Sequence, residues 1–351
     1  MPPQPTERKN SKTRRCLLHD YRDACIYLLT VTVEGRQPLL GKVAGDVYTA
    51  HIELTELGKA VRYEINMLPK HYPQVQIIQY MVMPDHVHLI LRVKERLPET
   101  FPLGNIVAAW KHACGKAFAA MSAPSCDLKA ATPDGGQVAS VAIADMVSSR
   151  PSGKEAFRSP SYRRLFSEGF NDSILTGKGQ LQHMIAYVRD NPRRLLLKRQ
   201  YSPFFTIRRG ITVVGQTFDA VGNMALLQRP LLAVHCRRRW TEGEQQSYRS
   251  HCLAAVESGT VLIGAFISKA EQAIAREVQG RRLPLIHLME NGFEDLYKPV
   301  GKAFYATAEG HLLQLAPWPY HVAKTAISRE QCVALNGMAE AIAAGGRIYA
   351  T

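Results

Sequence analysis

No run of apolar residues in this chain approaches the roughly 20 that a membrane-crossing helix needs. The longest, Ala24–Val33 and Leu283–Met289, stop well short of that, so no membrane partner is expected. The N-terminus, MPPQPTERKNSKTRRC, is polar and basic and lacks the apolar core of a secretory signal, despite its Arg14–Arg15 pair; export is not expected. CxxC spacing is missing as well. The seven cysteines, at 16, 25, 114, 126, 236, 252 and 332, form an odd set, which argues against a disulfide framework and a cysteine zinc site alike and fits a reducing cytoplasm. A GxGxxG run is also absent, so a dinucleotide cofactor is not expected.

Acidic side chains are in deficit, 30 against 44 basic ones for a net charge of +14. The excess is uneven. Residues 1–220 hold 30 Lys and Arg against 19 Asp and Glu, and the stretch 151–210 alone holds 12 against 4. A local excess of this kind is rewarded by a phosphate backbone through counterion release, although a merely solubilising surface has the same composition. Apolar residues at 46% and charged ones at 21% of 351 residues are the proportions of a globular protein, at a length that suggests two domains.

Residues 1–20 read as a basic flexible N-terminus. Cys25–Val33 reads as a strand, and Leu54–Leu68 as a helix capped by Thr55 and closed before Pro69. Val75–Met83 and His86–Val93 are apolar, β-rich runs separated by Pro84-Asp85, the pattern of two strands and a tight connection. Asn105–Met121 reads as a second helix. Residues 122–157, rich in Ala, Ser, Pro, Gly and Asp, read as a flexible insertion. Order is expected to return at Tyr162–Phe170, and Gly179–Asn191 reads as a helix that stops at Pro192. These elements predict an α+β domain over 21–210 with an antiparallel sheet. From 221 to 351 strands and helices alternate: Leu231–Cys236, Glu242–Glu257, Val261–Ile267, Lys269–Gln279, Leu283–Met289, Leu312–Ala316 and Arg329–Ala344. Such alternation predicts a parallel sheet covered by helices.

His86-Val87-His88 falls on a predicted strand, where residues i and i+2 share a face, so both imidazoles can converge on one metal ion. With 12 histidines in the chain, a chance pair on a half-exposed strand is the plain alternative. Tyr187 and Asn191 stand one turn apart on one helical face, as nucleophile and oxygen ligand, or as a packed ring and a helix end. Ser268, between a strand and a helix, either offers a phosphate site or simply caps the helix.

Taken together, MPDHVHLILRV and YVRDNPRR resemble the single-tyrosine HUH transposases, especially the REP-associated tyrosine transposases, over residues 20–210. The resemblance implies a ferredoxin-like fold, His86 and His88 as metal ligands, Asn191 as the third ligand and Tyr187 as nucleophile, with Mg²⁺ or Mn²⁺ as cofactor. It implies a metal-dependent endonuclease and strand transferase that acts on single-stranded DNA with hairpins through a 5′-phosphotyrosine intermediate. Lys178, Arg189, Arg193, Arg194, Lys198 and Arg199 crowd around the tyrosine helix and are the candidate DNA-binding residues.

The second domain is similar, more loosely, to the Rossmann-like α/β domain of the DNA-processing protein A family, through SGTVLIGAFISKAEQAI, PLIHLMENGF and YKPVGKAFYATAEG. The competing reading is a catalytically silent hairpin-binding protein of transposase origin. A third reading places a nucleotide-processing activity in residues 221–351. A cytoplasmic, nucleoid-associated location is expected, and a homodimer is a permitted assembly.

Overall fold

The computed structural model describes residues 19–122, 164–237, 239–322 and 326–345. Nearly all of the expected basic N-terminus, the insertion expected over 122–157 apart from Ser122, which ends a helix, and Tyr162 lie outside the described residues. The chain is mixed α/β and divides into two compact units, Met1–Leu196 and Leu197–Thr351. Among the described residues no helix is long and apolar enough to cross a membrane.

The first unit runs β1 (Ile26–Thr32), β2 (Gly41–Ala44), β3 (His51–Leu54), α1 (Glu56–His71), β4 (Val75–Val82), β5 (His86–Val93), α2 (Leu103–Ser122), β6 (Asn171–Ile174) and α3 (Gln180–Gln200), whose last residues, 197–200, are counted with the second unit. Four strands form one sheet in the order β4-β5-β1-β6, antiparallel throughout, and β2 and β3 make a separate ribbon. Alternation along β5 sorts its residues onto two faces. Val87, Leu89, Leu91 and Val93 join the core with Leu57, Val61 and Ile65 of α1 and Ile106 and Trp110 of α2. Each such buried aliphatic side chain contributes roughly 1.5–3 kcal/mol. On the opposite face, Ile90 packs with Leu28 against Leu181, Met184, Ile185, Tyr187 and Val188 of α3. The sheet is therefore covered on both sides, and the α3 side carries the histidines.

Thr55 caps α1 as expected, its hydroxyl accepting from Gly58 N at 3.1 Å. Gly58 has a further reason: a Cβ there would stand 1.9 Å from the Leu40 carbonyl oxygen. Neither proline ends its helix. Pro69 lies in the last turn of α1, and Pro192 lies inside α3, which continues to Gln200. Proline in a helix interior costs about 3 kcal/mol, but at 192 it is itself buried, with buried Asn191 before it and Leu197 beyond. Packing thus overrides the local rule.

The second unit runs β7 (Arg208–Val213), β8 (Gln216–Gly222), β9 (Leu231–Ala233), α4 (Glu242–Glu257), β10 (Val261–Gly264), α5 (Lys269–Gly280), β11 (Leu285–Leu288), α6 (Lys302–Ala308), β12 (Leu312–Ala316) and α7 (Arg329–Ala344). Its sheet has the order β7-β8-β12-β11-β10-β9. Strands β9 to β12 are mutually parallel, whereas β8 pairs antiparallel with β12 and β7 antiparallel with β8. The expected parallel sheet is therefore a mixed one. Residues 208–222, of which 208–210 are expected in the first domain, 211–220 in neither and 221–222 in the second, supply its antiparallel edge. The hairpin turn that joins them, Val214-Gly215, has both residues at positive φ, 50° and 73°. Its valine is exposed and β-branched, so the usual Asn-Gly signature of such a turn is missing.

Ser268 caps α5 in a reciprocal box with Glu271. The Glu271 carboxylate is buried and accepts backbone N–H groups from Cys236 at 2.9 Å, Ile267 at 3.0 Å and Ser268 at 3.1 Å.

Candidate active site

His86 opens β5 after the Pro84-Asp85 turn, and the two-residue period sends His86 and His88 to the face covered by α3. Their ring centroids are 4.7 Å apart, and their Nε2 atoms face each other at 3.1 Å. From α3, the Tyr187 ring meets His88 edge-on at 5.7 Å between centroids. Two motifs about a hundred residues apart in sequence are thus brought to one place on one sheet face.

Each Nδ1 has its own partner. His86 Nδ1 lies 2.6 Å from Asp85 Oδ1, and Asp85 is held in turn by Arg36 at 3.4 Å. His88 Nδ1 lies 3.0 Å from the Thr30 hydroxyl, directly across the β1–β5 pair. Burial pushes the Asp85 carboxyl up, but the hydrogen bond and charge of His86, with Arg36, hold it below its usual value.

His88 is 6% exposed. Burial first, and then the neighbouring His86, push its pKa down from 6.5 to about 3, with Asp85 opposing. The neutral imidazole, with a lone pair to offer, is therefore the form present at neutral pH. Folding stability follows from the same shift. A histidine whose folded pKa is depressed binds its proton more readily in the unfolded chain, so this contribution is intact above pH 6.5 and is lost as pH falls toward 3. The full loss is on the order of 4 kcal/mol. Urea unfolding at pH 7, 5 and 4 should show wild type losing stability faster than His88→Gln. Equal slopes would mean that His88 titrates normally.

The facing Nε2 atoms, 3.1 Å apart, bring two imidazole donors to one place. Hydrogen-bonded Nδ1 atoms are the usual outer support for such ligands. The donor set fits a divalent cation. Among the described residues no group of three or more His, Cys, Asp and Glu gathers that could hold a metal. Asn191, one turn beyond Tyr187, is 8% exposed. Its Nδ2 donates to the Tyr187 carbonyl at 2.8 Å, a bond that does not use its amide oxygen.

The six basic residues named from the sequence lie in α3 or in the turn ahead of it, on different sides of the helix. Lys178 is exposed in the turn ahead of α3. At 100° per residue, Arg189 and Arg193 point at least about 120° away from Tyr187 around the helix; Arg189 donates to Gln79 Oε1 at 3.3 Å and Arg193 pairs with Asp190 at 3.7 Å. Arg194 lies over the Tyr187 ring, 5.4 Å from its centroid. Lys198 and Arg199 fall in the second unit, where Lys198 lines a cavity of about 400 Å³ with Arg209, Tyr297 and Lys298.

Sequence reading missed Thr30, Asp85 and Arg36. Asp85 reads only as a turn residue, and Thr30 is one more β-branched residue in a strand. Only the register that sets Thr30 opposite His88 gives it a role.

No family model matches the chain. A stretch of 79 residues is 27% identical to an uncharacterized protein of Haemophilus influenzae, covering 22% of this chain and 42% of that one. The chain thus spans less than half the length of this curated relative. Among solved structures, a REP-associated tyrosine transposase bound to a REP hairpin superposes with a TM-score of 0.30 at 14% identity, over 51% of this chain and 72% of that one. DNA processing protein A from Helicobacter pylori, whose structure concerns its single-stranded DNA binding mode, superposes with a TM-score of 0.30 at 15% identity, over 39% of this chain and 65% of that one. Superpositions this loose leave the chemistry of the chain to its own side chains.

Proposed function

We propose that the first unit is a ferredoxin-like HUH nuclease that nicks and rejoins single-stranded DNA beside hairpins, and that a Rossmann-like α/β domain follows it. The observation that carries this reading is the convergence of His86, His88 and Tyr187 on one sheet face. Neutral imidazole lone pairs and a phenol are a ligand pair and a nucleophile, and a packing role alone would not require polar side chains there.

In this reading His86, His88 and the Asn191 amide oxygen would hold Mg²⁺ or Mn²⁺, which would supply neutralisation of charge on the scissile phosphate. Tyr187 Oη gives its proton to water and attacks phosphorus, the bond to the 3′-oxygen breaks, and that oxygen leaves as a hydroxyl by taking a proton from water. The 5′-phosphate stays on Tyr187 until a 3′-hydroxyl attacks it and restores a phosphodiester, so no external energy is needed. Arg194 lies over the ring and would help hold the phenol for in-line attack. Lys178 and Arg189, both exposed, are available to phosphates flanking the cut, and the proposal extends to Arg193, Lys198 and Arg199 as contacts along the strand.

The test is incubation with Mn²⁺ and hairpin-bearing single-stranded oligonucleotides from the gene's own flanks. The expected result is a covalent protein–DNA adduct that survives denaturing electrophoresis. The matching linear duplex should react far more slowly, because bending its phosphate into the site breaks stacking worth about 1.4 kcal/mol per step. Equal rates on both substrates would replace this reading with an ordinary duplex nuclease.

A further inference from the structure

The two histidines of the candidate site differ in what their Nδ1 atoms touch. A carboxylate only accepts, so the 2.6 Å contact with Asp85 puts the proton of neutral His86 on Nδ1 and leaves a lone pair on Nε2. The Thr30 hydroxyl beside His88 Nδ1 both donates and accepts by turning about one bond. With a lone pair on His86 Nε2, the 3.1 Å contact between the Nε2 atoms is a hydrogen bond only when His88 Nε2 carries its proton. Thr30 then has to donate to His88 Nδ1. Two lone pairs aimed at one cation require the reverse: the proton on His88 Nδ1, accepted by Thr30 Oγ1.

We propose that Thr30 is a positioning residue that allows His88 to exchange tautomers when a divalent cation binds, donating to Nδ1 without the cation and accepting from it with the cation. One proton leaves Nε2 as another is taken up at Nδ1, so the net protonation of the ring is unchanged. The environment requires a partner of this kind. His88 is buried, and a fixed acceptor or a fixed donor opposite Nδ1 would satisfy only one of the two tautomers. This inference rests on the metal-site reading above.

The test uses the full chain, Mn²⁺ in titration calorimetry and Zn²⁺ as a diamagnetic probe for ¹⁵N-imidazole NMR. His88 should carry its proton on Nε2 without cation and on Nδ1 with Zn²⁺. Thr30→Val, which keeps the β-branched shape of the strand, should weaken Mn²⁺ binding by about 10–100-fold, the usual effect of losing an outer partner. Thr30→Ser, which restores the hydroxyl, should recover most of the affinity. The same His88 tautomer in both states, or Mn²⁺ binding unchanged in Thr30→Val while lost in His88→Ala, would overturn the role of Thr30 and leave the metal site standing. Mn²⁺ binding unaffected by His88→Ala would overturn the metal-site reading itself.

Discussion

Tyr187→Phe should yield a protein that still binds hairpin DNA but neither cuts it nor becomes covalently attached to it. The substitution removes one oxygen. The ring remains, and so do its edge-on contact with His88, the guanidinium of Arg194 above it and its packing on Leu28 and Ile90. Stability and DNA affinity should therefore stay within about 0.5 kcal/mol of wild type, whereas adduct formation, which needs the phenolic oxygen, should fall to background. Denaturing gels for the adduct and a binding isotherm for the hairpin separate the two properties. An adduct formed by the Phe variant would move the nucleophile to another tyrosine. Tyr80 packs on the other sheet face, against the core shared with α1 and α2, and Tyr201 stacks on Phe204 at 6.3 Å. Tyr80 is thus separated from the histidines by the sheet.

The second large effect is expected at the histidines. His86→Ala and His88→Ala should each abolish divalent-dependent cleavage, with a loss greater than the roughly 10–100-fold that removal of an outer partner costs. The two variants should differ in stability. His88 is buried and bonded to Thr30, so its removal leaves a hole and an unpaired hydroxyl. His86, at 18% side-chain exposure beside Asp85, leaves a carboxylate that water can reach. His88→Ala should thus lower the unfolding midpoint clearly and His86→Ala only slightly, while both lose cleavage. Cleavage at wild-type rate by a well-folded variant of either would remove the metal from the mechanism.

Periodicity carried much of this fold. The expected helices Glu242–Glu257 and Arg329–Ala344 and the strand Leu312–Ala316 match the observed α4, α7 and β12 in both bounds, because apolar spacing and Thr241 and Ser328 caps mark them locally. Strands β7 and β8 were not legible. Arg208-Arg209-Gly210 and Gly215-Gln216-Thr217 are exposed and polar, and what makes β8 a strand is its register against β12, a non-local cause. The prolines misled for the opposite reason, since a local rule at 69 and 192 was overruled by burial. At the site, the His-x-His pair and the helical tyrosine were visible as residue types, but their convergence depends on β5 and α3 sharing a face. Proximity along a helix does not give proximity in space, and Arg189 and Arg193 turn away from Tyr187 while Arg194 reaches it.

Glu271 has a consequence for what the second unit can hold. Main-chain amides at the start of a helix ordinarily form a vacancy for an anion, and in many α/β domains a nucleotide phosphate fills it. In this chain the Glu271 carboxylate already holds Ser268 N at the start of α5, together with Cys236 N and Ile267 N. An incoming phosphate would have to evict a tethered group of its own charge, whose effective concentration no free ligand matches. The chain has in this sense supplied its own ligand, and the carboxylate serves as an internal competitor at the start of α5.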